Sequence, residues 1–157
     1  MQKFIKKMKK GFTIMELVIV IAVIAILAAV LIPTFSNIVD SANESAAMQE
    51  ARNEWTNYSV EVATSSGLND DYVVVYAPAD ADEEEYYYFE VTDGQFDPTA
   101  VEDVYTYSSS ETPSLTVSGG NSTAEAAKNA KGEAYVSSNN NIKIFKLVPA
   151  QSGGGEG

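Results

Sequence analysis

The 157-residue chain contains neither cysteine nor histidine. Without cysteine there is no disulfide framework, no thiol nucleophile and no thiolate metal site. Without histidine the usual general base at neutral pH is missing, and with it Ser-His-Asp chemistry and imidazole-held metals. Positive charge is scarce too: 10 Lys+Arg stand against 22 Asp+Glu, a formal net charge of −12. A broad basic surface is therefore excluded, and no direct nucleic-acid binding is expected. What basic charge there is lies unevenly. Residues 1–11 hold Lys3, Lys6, Lys7, Lys9 and Lys10 and no acid, while everything from residue 12 onward sets five basic residues against 22 acidic ones. The hydrophobic fraction of 45% is enough for a core, and the length suits one domain with a small appendage.

Much of that apolar content sits in one block. Leu17 to Ile32 is an unbroken run of 16 apolar residues. Counted from Phe12 the stretch is 21 residues, about 31 Å as a helix, which matches a hydrocarbon core of about 30 Å. The lysine flank keeps its N-terminal end in the cytoplasm, so the remainder is expected outside. A secretory signal peptide fits poorly: the run is too long, and Thr34-Phe35-Ser36 is a weak stand-in for a cleavage triplet. A plain single-pass anchor has no use for Glu16, since an acid in a membrane segment is expensive and by default functional. Unless it simply snorkels at the interface, Glu16 needs another explanation.

Residues 9–22, Lys-Lys-Gly-Phe-Thr-Ile-Met-Glu-Leu-Val-Ile-Val-Ile-Ala, supply one. They resemble the class III signal and N-terminal helix of type IV pilins and type II secretion pseudopilins. A basic leader ends in Gly11, Phe12 follows, an acid stands at the fifth position after Gly11, and an aliphatic run continues to Pro33. The likeness covers residues 6 to about 35. It implies that a prepilin peptidase cuts between Gly11 and Phe12 and methylates the new amine of Phe12. It implies a subunit held in the cell membrane by one helix, N-terminus cytoplasmic. Assembly machinery with a cytoplasmic ATPase and a membrane platform then packs it into an extracellular helical homopolymer. In that setting Phe12 and Glu16 act in filament assembly and Pro33 bends the helix. The role implied is a structural subunit of a type IV pilus-like filament for adhesion, motility or aggregation, and not an enzyme. The alternative is a pseudopilin of a type II secretion or competence DNA-uptake system. Gram-negative pilins often close a C-terminal loop with a disulfide. This chain has no cysteine for one, which implies a Gram-positive host or a head stabilised otherwise.

Beyond Pro33 the sequence turns polar with a spaced apolar face. Met48, Ala51, Trp55, Tyr58 and Val62 fall at steps of three and four, so the helix is expected to continue to about Ala63 and pack that stripe on a globular part. Pro33 removes one i→i−4 bond and should bend the helix or leave a short unwound stretch. Thr64 to Gly67 reads as its stop. Residues 68–148 read as β-rich. Tyr72–Tyr76, Tyr86–Val91 and Ile142–Val148 are strands, with Val101–Tyr107 and Leu115–Val117 as weaker ones. Ser122-Thr123-Ala124-Glu125 matches a capping box, so two helical turns are expected before Gly132. The fold expected is α+β, a long N-terminal helix on a small antiparallel sheet. The divisions are a removed leader at 1–11, a membrane and filament-core helix at 12–35, an amphipathic helix at 36–66, a β-rich head at 67–150 and a flexible tail at 151–157.

Chemistry in the head is thin. Asp80 to Glu85 is nearly all carboxylate but lacks the spaced ligand order of an EF-hand, so a solvated acidic hairpin is expected there rather than calcium. Asp70-Asp71 is weaker still. The tyrosines at 86–88, 105 and 107 read as half-buried sheet aromatics more than as a stacking surface. Asn43, Asn57 and Asn121 open glycosylation-type triplets. No metal and no cofactor is expected.

Overall fold

The computed structural model describes residues 11–63, 69–78, 86–109, 112–119 and 122–150. Among these residues the one α-helix, α1, runs Ile14–Val62. The chain divides into two compact units, Met1–Ser41 and Ala42–Gly157.

In the first unit the helix buries nothing. Its apolar side chains from Phe12 to Val39 are exposed, Phe12 at 86% and Ile32 at 69%. The aliphatic run makes the helix, through Leu and Ala propensity and the absence of glycine from 12 to 41. The helix continues through Pro33 with no unwound stretch. Pro33 has no N–H to offer the carbonyl of Ala29. Next to it the Thr34 hydroxyl donates to the Val30 carbonyl at 3.0 Å.

The second unit is built in three layers. A five-stranded antiparallel sheet in the order β3-β2-β1-β7-β6 forms the middle. Its strands are β1 Tyr72–Tyr76, β2 Tyr87–Thr92, β3 Gln95–Ala100, β6 Ser122–Ala126 and β7 Ile142–Pro149. On one face lie Ala47, Ala51, Trp55, Tyr58 and Val62 of α1, packed with Tyr72, Val74, Phe89, Val91, Ile142 and Ile144. On the other lies a two-stranded sheet, β4 Tyr105–Ser108 with β5 Ser114–Val117, whose Tyr105, Tyr107 and Leu115 meet Val73, Val75 and Phe145. The central strand β1 is covered on both faces. That is why it reads as a continuous apolar YVVVY and not as an alternation.

The expected stripe on α1 is the one that packs, and the strands expected at Tyr72–Tyr76, Tyr86–Val91, Leu115–Val117 and Ile142–Val148 appear as β1, β2, β5 and β7. Two expectations fail. Ser122–Ala126 is not a capped helix but strand β6, paired along β7 from Ser122↔Pro149 to Ala126↔Phe145. An isolated two-turn helix is marginal in water, whereas the free edge of β7 offers a full ladder and places Ala124 and Ala126 against the second apolar cluster. Val101–Tyr107 becomes loop followed by β4. A strand not expected, β3, follows a two-residue turn in which Asp93 and Gly94 take φ of 51° and 77°. Positive φ at both positions marks the hairpin turn whose twist suits antiparallel strands. β3 tolerates Pro98 because it is an edge strand. The acidic run Asp80–Glu85, the helix stop at Thr64–Gly67, Asn121 and the tail lie outside the described residues.

Candidate functional site

The N-terminal segment places Gly11, Phe12 and Thr13 ahead of the first helical turn. A Cβ added to Gly11 would meet nothing within 4 Å, so its backbone is open to an approaching group. Thr13 and Glu16 form a reciprocal cap. The Thr13 amide and hydroxyl both donate to Glu16 Oε2 at 2.9 Å, and the Glu16 amide donates to Thr13 Oγ1 at 3.2 Å. This is the capping-box arrangement, Thr-x-x-Glu, which holds donors that a helix start otherwise leaves open. The carboxylate also sits where the helix dipole favours negative charge. The signal for this cap in the sequence is the Thr13-x-x-Glu16 spacing, which stands at the head of the apolar run.

From Ile14 onward α1 is long and apolar enough to cross a membrane. The arrangement is thus a capped, wholly exposed apolar rod with one acid in its first turn and a proline at position 33. It can dissolve in lipid or pack on like rods, and it holds no catalytic constellation. Among the described residues no three His, Cys, Asp or Glu side chains gather to hold a metal.

In the head, charged groups serve structure. Three glutamates on α1 reach the segment between β6 and β7. Glu50 accepts from Asn139 and, at 3.4 Å, from Asn141; Glu54 accepts from the Tyr135 hydroxyl; Glu61 accepts from the Ala130 amide at 3.1 Å. Asp70 pairs with Lys146 at 2.6 Å, and that pairing raises the Lys146 amine. Burial pushes the phenols of Tyr58, Tyr105, Tyr107 and Tyr135 above their ordinary value, and Glu90 and Glu54 add to this by accepting from Tyr105 and Tyr135. Burial lowers the amine of Lys143, which donates to the carbonyl of Asn140. The tyrosines grouped in sequence are sheet aromatics as expected: Tyr105 and Tyr107 are buried, and Tyr86–Tyr88 half-buried. Asn43 and Asn57 are exposed on α1.

Comparison with known proteins puts this N-terminal geometry in a class. Residues 6–32 match the family described as the prokaryotic N-terminal methylation motif, so the resemblance to type IV pilins and pseudopilins is borne out. Over 45 residues the chain is 47% identical to the type IV major fimbrial protein FimA of Dichelobacter nodosus, a stretch that makes up 29% of this chain and 29% of that protein. A further FimA protein of the same organism matches at 47% over 45 residues, covering 28% of its length. The chain therefore spans less than a third of the relatives it matches. No solved structure matches it.

Proposed function

We propose that the chain is a structural subunit of a type IV pilus-like surface filament, held in the membrane by α1 until assembly. The observation that carries this is the exposed apolar run from Phe12 to Val39 directly behind a methylation motif. So much bare apolar surface is stable only in lipid or against copies of itself, and the two sinks have similar polarity, so transfer between them costs little hydrophobic free energy. Prepilin peptidase is the processing partner, cutting between Gly11 and Phe12 and methylating Phe12. The divisions then follow: leader 1–11, membrane and filament-core helix 12–35, amphipathic helix 36–66, head 67–150 and tail 151–157. Pro33 is proposed as a helix bend. The likeness to major fimbrial proteins favours an abundant pilus subunit over a secretion pseudopilin.

The leader lysines have no place in an apolar filament core. Intact mass of surface-assembled protein should therefore correspond to a chain beginning at Phe12 with one added methyl group. Gly11→Val should leave the leader attached, because a side chain obstructs the junction. Recovery of assembled subunits that still begin with Met1 would overturn the proposal.

A further inference from the structure

We propose that the head carries a cleft for small organic ammonium ions, walled by tyrosines of β2 and of the β4–β5 pair. A cavity of about 530 Å³ opens beside Tyr86–Tyr88, where the chain leaves β3 after Ala100. That volume suits a small-molecule ligand. Tyr86 and Tyr88 line it from one wall, and Tyr105 and Tyr107 line it from the facing pair of strands. The rings are set against one another: Tyr86 meets Tyr107 edge-on at 5.7 Å between centroids, and Tyr88 meets Tyr105 at 5.9 Å. They are also anchored by their hydroxyls. Tyr105 donates to Glu90 at 2.5 Å, and the Tyr88 oxygen accepts from the Tyr107 amide at 3.2 Å. The walls are therefore preorganised, and a ligand would not have to order them.

The charge of the cleft selects the ligand. Among the described residues its ionisable groups other than tyrosine are Glu44, Glu102 and Asp103, all exposed, and none of the described lysines or arginines lines it. Aromatic faces are electron-rich and attract a cation placed within about 6 Å of the ring centre. The head already uses this attraction: Arg52 lies 5.6 Å from the Phe96 centroid, and Lys143 lies 5.6 Å from that of Tyr107, which leaves the half-buried Tyr86 and Tyr88 as the cleft rings open to a ligand. An acidic glycan would be repelled in a chain of net charge −12. A hard metal ion needs six or more oxygens, more than dispersed carboxylates supply. An ammonium bearing methyl or methylene groups uses both features, its apolar substituents on the rings and its charge toward the acids.

The test is titration of the full-length protein, in uncharged maltoside micelles, with choline and with its uncharged tert-butyl analogue, followed by calorimetry. Choline should bind saturably and at least about tenfold more tightly than the analogue. Tyr86→Leu should weaken choline about fivefold. The double change Glu102→Gln with Asp103→Asn should weaken it several-fold and flatten its salt dependence. Both acids lie in an exposed loop, and asparagine accepts the φ of 61° at position 103, so that variant should keep the parent melting temperature. Equal affinity for choline and the analogue would overturn the proposal. So would an absence of saturation by choline up to about 10 mM, or a folded double variant that binds choline as the parent does.

Discussion

At the scale of single residues, Glu16 has two candidate roles that the structure makes separable. It completes a cap with Thr13 at the helix start. Under the proposed function it also carries a charge into a dry filament core, where an unpartnered carboxylate costs several kcal/mol. The new amine of Phe12, its own or a neighbouring subunit's, is then its natural partner. The next basic residue in the sequence is Arg52. A pairing between subunits would fix their axial register. Glutamine keeps the cap, since its amide oxygen can accept from Thr13, but it has no charge. The expected outcome is that Glu16→Gln, like Glu16→Val, leaves a cleaved, membrane-held subunit with filament yield reduced at least about tenfold. Thr13→Val loses the cap and keeps the charge, so it should assemble nearly as the parent does. Quantifying sheared filaments beside cell-bound subunit for the three variants decides the matter. Normal yield from Glu16→Gln together with loss in Thr13→Val would leave capping as the sole role.

At the scale of elements, the glutamates of α1 tie down the segment between β6 and β7, where Tyr135 packs edge-on to Tyr58. The hydroxyl of Tyr135 is their most buried partner. Tyr135→Phe should cost about 1 kcal/mol, read as a lower urea midpoint with an unchanged slope. No change in midpoint would mean that the ring alone holds the segment. Legibility in the sequence followed the same division between strong patterns and tertiary context. The Trp55 stripe and the YVVVY run are intrinsic signals, periodic or β-branched, and both elements stand where they were read. Glu16 could be picked out as an acid set against an apolar run, and the Gly11-Phe12 junction through the resemblance of residues 9–22 to the pilin signal. Strand β6 could not be read from its own residues, because its alanines favour a helix and only the edge of β7 makes it a strand. β3 was obscured by Pro98, although Asp93-Gly94 is a strong hairpin signal. The tyrosine cleft had no signature at all, since its walls come from β2, the loop after β3 and the β4–β5 pair.

For the whole molecule, the buried tyrosines set the response to alkali. Tyr58, Tyr105, Tyr107 and Tyr135 hold their protons in the folded head above the ordinary value of 10.0. Once the pH passes about 10 the unfolded chain releases protons that the native state retains, so stability falls as pH rises. Lys143, lowered from 10.5, works the other way just below that value, but it is one group against the four tyrosines and Lys146, whose amine is raised. The urea midpoint should therefore show little contribution from these tyrosines below about pH 9 and fall steeply above about pH 10. A midpoint that holds to about pH 11 would mean that these phenols ionise without unfolding the head. The position of β7 has a consequence for how the molecule is made. It lies between β1 and β6 and supplies Ile142, Ile144 and Phe145 to the two apolar clusters, yet it is the last strand in order among the described residues. The central sheet cannot close, and neither cluster can be completed, until β7 is in place. β1 and β6 have no partner between them before then, so the head gains its rigidity in the one step that seats β7.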